Sequence, residues 1–125
     1  MGILKKILVG LVAVEHFFFL IVEMFLWTQP LGLGMFGNTS EFAEMTSVLA
    51  ANQGVYNGFL AAGLIWGLVH PDSKIGFQVK VFFLLCVIVA GLYGGYSVSS
   101  TIFFVQAVPA LIALAVVWFT KPERA

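Results

Sequence analysis

Charged residues are scarce in this chain. Its 125 residues include six lysines and arginines and six aspartates and glutamates, which together make up 10% of the sequence and give a formal net charge of zero. An ordinary soluble domain is charged at roughly 25% of its positions. Because there is no basic excess to attract phosphate groups, we expect no nucleic-acid partner.

Cysteine is almost absent as well, since Cys86 is the single one in the sequence. A lone cysteine cannot form a disulfide within the chain, and it does not make a metal-binding motif. It lies in the apolar run VFFLLCVIVAG, where we expect a small buried hydrophobic side chain. A metal site at Glu15, His16 and Glu23 is weakly indicated, because these residues supply one nitrogen and lack the His-x-x-x-His spacing of a zinc helix. We therefore expect no metal site and no cofactor.

Hydrophobic residues make up 61% of the chain, and the mean hydropathy is +1.04. A small soluble domain could not bury that much apolar surface, so we expect the lipid bilayer to be the surrounding medium. A spanning helix needs about 20 mostly apolar residues. Four segments meet this requirement: residues 7–27, 46–69, 75–96 and 100–119. They predict an all-α, integral membrane four-helix bundle formed by one domain, residues 1–125.

The positively charged residues all fall on one side of the predicted bundle. They precede the first segment, lie at the junction of the second and third, or follow the fourth: Lys5, Lys6, Lys74, Lys80, Lys121 and Arg124. Cytoplasmic loops of membrane proteins carry the excess of lysine and arginine. This bias predicts that both termini are cytoplasmic and that the joint Thr28–Ser40 lies outside.

Helix-start and helix-break signals flank these segments. Thr39 and Ser40 can cap the helix that follows them, and Glu41 and Glu44 in its first turn favour the positive end of the helix dipole. Within the fourth segment, Pro109 lacks a backbone N–H, so we expect a kink there.

Small residues recur at four-residue spacing in the second and third segments: Ala50, Gly54, Gly58, Ala62, Gly63, Gly67, Gly91 and Gly95. Such faces allow helix backbones to approach closely. The spacing does not separate packing within one chain from packing between chains. A homo-oligomer through the Gly/Ala faces is therefore one interpretation.

Ionisable side chains interrupt the first segment at Glu15, His16 and Glu23. Each costs roughly 2.5 to 3.5 kcal/mol in the bilayer core on insertion scales. Helix periodicity places His16 and Glu23 about 20° apart, and Glu15 about 80° from Glu23. All three fit on one face about 100° wide, which we expect to point away from lipid.

The other segments add uncharged polar side chains, Asn52, Gln53, Tyr56 and Asn57 in the second and Gln106 in the fourth. Counted along the helices at about 1.5 Å per residue, Asn57 lies near mid-membrane, as do Glu15 and His16. Glu23, Asn52, Gln53 and Gln106 lie nearer the outer face on the same count. We therefore predict a polar site inside the membrane, formed by three helices.

Three functions fit this pattern. The first is binding or transport of a small apolar or cationic molecule, with Glu15 and His16 carrying a proton-linked step. The remaining residues would line a pocket open to the outer face: Glu23, Asn52, Gln53, Tyr56, Asn57 and Gln106. The second is a membrane enzyme acting on a lipophilic substrate, with a glutamate and His16 as acid and base. The third is a structural or accessory membrane protein, whose polar groups only join helices.

The stretches EHFFFLIVEMFLW, from Glu15 to Trp27, and EFAEMTSVLAANQGVYNGFLAAGLIWG, from Glu41 to Gly67, resemble domain-of-unknown-function family 1304. The segment Ala51–Phe59 is the most specific part of the resemblance. It implies a small protein of the bacterial inner (plasma) membrane that crosses it several times. The resemblance brings no activity with it.

Overall fold

The computed structural model describes residues 2–120, and nearly all of them are helical. The helices are α1 Gly2–Phe25, α2 Pro30–Phe36, α3 Ser40–Val69, α4 Ser73–Ser97 and α5 Ser100–Phe119. A π-helical turn, Phe103–Ala107, interrupts α5. The predicted all-α class is confirmed, and the four predicted segments fall on α1, α3, α4 and α5.

Three of the described helices, α1, α4 and α5, are long and apolar enough to cross a membrane. The longest helix, α3, has 30 residues but does not reach the same hydropathy. The polar side chains of Asn52, Gln53 and Asn57 account for much of this difference, because all three lie within the otherwise apolar part of α3.

The joint between the first two predicted segments contains a helix that the sequence analysis did not predict. Pro30 occupies the first turn of α2, where its fixed φ suits a helix and its missing N–H is not needed. Gly37 ends the helix with a φ of 65°, and its N–H donates to the Leu33 carbonyl. Gly32 lies against the backbone carbonyl of Leu26, so any side chain there would collide with it.

Side-chain caps fix the starts of the later helices. The predicted cap at Thr39 is confirmed, because its hydroxyl accepts a hydrogen bond from the Phe42 N–H at 3.2 Å. Asp72 caps α4 by accepting from the N–H groups of Lys74 at 2.8 Å and Ile75 at 3.0 Å. These two backbone donors lower the pKa of Asp72 below its ordinary value of 3.8.

The chain divides into two compact units. The first unit is Val14–Ala61, and the second unit is Met1–Ala13 together with Ala62–Ala125. In the first unit, α1 packs against α3 at Gly54 and Gly58. A Cβ on either glycine would lie 2.6 Å from a side-chain carbon of α1, on Met24 and Leu20 respectively.

In the second unit, α4 packs against α5 and its π-helical turn. Gly95 faces Phe103, and Gly91 faces Ala107. Gly63, on α3, lies against the ring of Phe83 on α4. The glycines that form the predicted small-residue faces therefore make close contacts within the chain.

Two lysines of the second unit bind the C-terminal ends of helices. Lys5 Nζ donates to the Thr120 carbonyl at 3.0 Å, and Lys80 Nζ donates to the Gly67 carbonyl at 2.9 Å. A cation at this end of a helix is favourable because the carbonyl groups there carry partial negative charge. Lys121 and Arg124, which also entered the predicted orientation, lie outside the described residues.

Cys86 is half-buried rather than fully buried. It lines a shallow apolar groove on one face of α4, together with Phe82, Leu85, Val89, Ala90 and Tyr93. The apolar surroundings expected for this residue are therefore present, but neighbouring helices do not enclose it.

Candidate functional site

The ionisable residues of α1 that were predicted for the site, Glu15, His16 and Glu23, all lie in the first unit. His16 is fully buried, whereas Glu15 and Glu23 are half-buried. None of the three side chains is fully exposed, and their common face stays a prediction. Helix periodicity explains this arrangement, since His16 and Glu23 are separated by almost two whole turns.

Glu23 and Asn57 are in direct contact. The Asn57 Nδ2 amide donates a hydrogen bond to Glu23 Oε1 over 2.6 Å, joining the last turns of α1 to the middle of α3. Gly54 allows this approach, because a Cβ there would lie 3.3 Å from the Glu23 Cβ and 3.1 Å from the Leu20 carbonyl oxygen. The sequence therefore brings a carboxyl and an amide together by placing glycine one turn before Asn57.

His16 belongs to the packed interior of the first unit. Its ring meets the ring of Phe19 edge-on, with the centroids 5.5 Å apart. The imidazole is therefore enclosed by the protein, and a substrate could reach it only if the groups around it moved.

Three of the predicted site residues on α3 are exposed: Asn52, Gln53 and Tyr56. Asn52 Nδ2 donates to the Val48 carbonyl of its own helix at 3.1 Å. The Tyr56 ring contacts Phe59 with the centroids 5.9 Å apart, and 60% of Tyr56 is exposed. No hydrogen bond among the described residues of the first unit joins these side chains to Glu23, so Asn57 is the one of the four that binds it.

Gln106 lies in the second unit, within the π-helical turn, and is half-buried. The Val108 N–H donates to the Phe103 carbonyl five residues earlier, which widens the helix by one residue. Pro109 follows at once and cannot donate to a carbonyl of the preceding turn. A π-helical turn therefore stands where we predicted a kink, and the helix continues beyond Pro109.

Residues 10–118 match the family model described as a protein of unknown function, DUF1304. The chain belongs to the DUF1304 family. It is 32% identical over 116 residues to the uncharacterized protein YpaA of Lactococcus lactis subsp. lactis (strain IL1403), covering 91% of this chain and 96% of YpaA. No solved structure matches the chain. The resemblance noted in the sequence is confirmed.

In this DUF1304 chain, sequence reasoning missed a second polar contact in the first unit. Trp27 Nε1 donates to the Thr46 hydroxyl oxygen at 3.0 Å, and the Trp27 ring packs on Phe36 with centroids 4.8 Å apart. The Thr46 hydroxyl in turn donates to the Phe42 carbonyl at 2.7 Å. No local motif indicates this contact, because the tryptophan and threonine are 19 positions apart.

The candidate site consists of one carboxyl group, Glu23, that is hydrogen-bonded by one amide, Asn57. Glu23 can accept hydrogen bonds, attract a cation or take up a proton, and Asn57 fixes one of its oxygens. Within residues 2–120, no group of three or more His, Cys, Asp or Glu side chains is close enough to hold a metal ion. Every buried side-chain nitrogen or oxygen in this part of the chain has a hydrogen-bond partner.

Proposed function

We propose that this DUF1304 protein is a multi-pass protein of the bacterial plasma membrane. It binds a small cation with an apolar body at Glu23 and transports it. The observation that carries this proposal is the 2.6 Å hydrogen bond from Asn57 to Glu23. This bond orients a half-buried carboxyl group between two helices of a very apolar chain.

In this proposal, α3 crosses the membrane with α1, α4 and α5 as a four-helix bundle. Its 30 residues extend about 45 Å, which exceeds the roughly 30 Å of the hydrocarbon core. The polar groups that lower its hydropathy are those of the proposed site and its surroundings. Both termini face the cytoplasm, because Lys5 and Lys80 lie at one end of the second unit.

The carboxyl group of Glu23 favours a cation over a neutral or anionic ligand. One oxygen accepts from Asn57, while the half-buried side chain keeps part of its surface accessible. Leu20 and Met24 lie beside it on α1, next to Gly54, and provide apolar contacts. Coulombic attraction is several times stronger near a protein interior than in water, so one carboxylate in these surroundings can select a lipophilic cation.

Glu15 gives the proposed transporter a second carboxyl group on the same helix. It lies eight residues before Glu23, or about 12 Å along the axis. A half-buried acid at this distance can take up or release the proton that is exchanged for the cation. His16, the next residue, is fully buried, so in this proposal it packs inside the protein and does not contact the cation.

The structure favours binding over the enzymatic alternative. An acid–base mechanism with His16 requires the imidazole to reach a substrate, but that ring is fully buried and packed against Phe19. A purely structural role remains the competing explanation of the Glu23–Asn57 hydrogen bond. That role requires Glu23 only as a hydrogen-bond acceptor, which a glutamine would also provide.

Equilibrium binding of tetraphenylphosphonium, a lipophilic cation, tests the proposal on the purified full-length protein in detergent. We expect saturable binding by the wild type and at least a tenfold higher Kd for Glu23→Gln, whose side-chain carbonyl still accepts from Asn57. Glu44→Gln makes the same change at an exposed residue of α3, and its Kd should match the wild type. Equal Kd values for Glu23→Gln and the wild type, or no saturable binding by the wild type, would reject the proposal.

A further inference from the structure

One exposed side of α3 carries polar side chains that the proposed cation site does not use. Asn52, Gln53 and Tyr56 are all exposed there, and we call them the amide face. Gln53 is one turn away from Asn57, about 6 Å along the helix axis. If Asn57 lies inside the membrane beside Glu23, the amide face lies at nearly the same depth.

Polar groups at that depth need hydrogen-bond partners, because hydrocarbon provides none. Asn52 donates one amide hydrogen to the Val48 carbonyl, and its own side-chain oxygen accepts no hydrogen bond from residues 2–120. Gln53 makes no side-chain hydrogen bond to any of residues 2–120. The amide face is therefore incompletely satisfied by the part of the chain that the structure describes.

We infer that a second copy of this chain packs against the amide face, so that the α3 helices of two protomers pair. A carboxamide is both a donor and an acceptor, which makes the face complementary to itself. Two copies related by a twofold axis would therefore satisfy each other's Asn52 and Gln53 side chains. The face carries no charge, so nothing on it favours a charged partner.

The surroundings of the amide face also suit a helix–helix interface. Large apolar side chains flank it along α3 and are strongly exposed: Met45, Val48, Leu49 and Phe59. From Met45 to Phe59 the helix extends about 21 Å, which covers much of a bilayer core. The glycines of the small-residue faces already contact residues of the same chain, and these contacts leave the amide face exposed in the middle of α3.

Disulfide cross-linking of the full-length protein in lipid vesicles tests the inference. In a Cys86→Ala background, Gln53→Cys should form a covalent dimer on mild oxidation. Val14→Cys places a thiol at an exposed position of α1 in the same unit and should remain monomeric. Cross-linking of Gln53→Cys no greater than that of Val14→Cys would overturn the inference.

A second measurement avoids introducing a thiol into the interface. Energy transfer between donor-labelled and acceptor-labelled copies, diluted stepwise with lipid, gives the dissociation constant of the dimer. We expect Asn52→Leu with Gln53→Leu to raise that constant at least tenfold while the helical circular dichroism is unchanged. Wild-type protein that is monomeric at all lipid ratios would overturn the inference. In that case lipid, water or another protein would cover the amide face.

The two proposals can fail separately. The amide face does not include Glu23, so Glu23→Gln should dimerise as the wild type does even if cation binding is lost. Conversely, a protein that does not bind tetraphenylphosphonium but cross-links at Gln53→Cys would reject the cation site and retain the α3 interface.

Discussion

Gly91 on α4 lies directly against Ala107 at the end of the π-helical turn. A Cβ on Gly91 would be 2.6 Å from the Ala107 backbone nitrogen and 2.9 Å from its Cα. Backbone atoms of a packed helix cannot move aside as the end of a flexible side chain can. The contact therefore requires glycine, and it joins the widened turn of α5 to α4.

Gly91→Ala should destabilise the protein. The added methyl group forces α4 away from the π-helical turn, and overpacking of this kind costs about 1 to 3 kcal/mol. Gly10→Ala is the matched control, because a Cβ there meets no atom within 4 Å. Unfolding in mixed micelles with increasing denaturant measures both variants. Equal stabilities for the two would contradict the close contact.

The hydrogen bond between Trp27 and Thr46 should contribute to the stability of the first unit. Trp27→Phe removes the indole donor while keeping an aromatic ring against Phe36, and a lost hydrogen bond costs about 0.5 to 1.5 kcal/mol. Thr46→Val removes the acceptor without changing the shape of the side chain. In a double-mutant cycle, the two changes together should cost less than the sum of the single changes.

Trp66→Phe serves as the comparison for that cycle. The Trp66 ring is half exposed and packs against His70, so its replacement by phenylalanine should have a smaller effect than Trp27→Phe. Strictly additive effects of Trp27→Phe and Thr46→Val would show that the two side chains are not coupled.

The cap at Asp72 should make stability depend on pH in the acidic range. Its folded-state pKa lies below the ordinary value of 3.8, because the N–H groups of Ile75 and Lys74 bind the ionised form. The cap therefore stabilises the fold fully above the unfolded pKa and loses this effect as the pH falls through the folded pKa. Thermal unfolding between pH 7 and pH 2 measures the change.

Asp72→Asn separates this effect from the other carboxyl groups. Asparagine is also a good N-cap but does not titrate, and all other acids are common to both proteins. The difference in Tm between wild type and variant should be constant near neutral pH and change below about the ordinary pKa of 3.8. A difference that stays constant to pH 2 would contradict the assigned cap.

The proposed orientation can be read from thiol labelling in a Cys86→Ala background. Asn38→Cys lies between α2 and α3, and Ser73→Cys lies at the start of α4. A membrane-impermeant maleimide added to intact cells should label Asn38→Cys, whereas Ser73→Cys should react only after permeabilisation. The reverse pattern would show that the lysine bias does not set the orientation of this chain.

The sequence predicted the long helices well because twenty-residue apolar runs and helix period are local properties. The same periodicity predicts one common face for Glu15, His16 and Glu23, and none of these three side chains is fully exposed. The hydrogen bond from Asn57 to Glu23 was not predictable as a pair, because it depends on how α3 is rotated against α1. That rotation follows from where Gly54 meets α1, a contact that only the folded structure defines.

Two local features were missed for different physical reasons. Helix α2 contains two glycines within seven residues, and glycine disfavours helices. The intrinsic helix propensity of this segment is therefore low. Its packing through Gly32 on the Leu26 carbonyl and through Phe36 on Trp27 overrides that preference. The exposure of Asn52 and Tyr56 was missed because polar residues in an apolar segment were all assigned to the interior.

Cation flux into vesicles containing the reconstituted full-length protein tests the proposed function most directly. With a proton gradient across the vesicle membrane, we predict saturable protein-dependent movement of tetraphenylphosphonium. This movement should be lost in Glu23→Gln, uncoupled from the gradient in Glu15→Gln and unchanged in Glu44→Gln. Flux through Glu23→Gln at the wild-type rate, or no flux above that of protein-free vesicles, would contradict the proposal that Glu23 binds a transported cation.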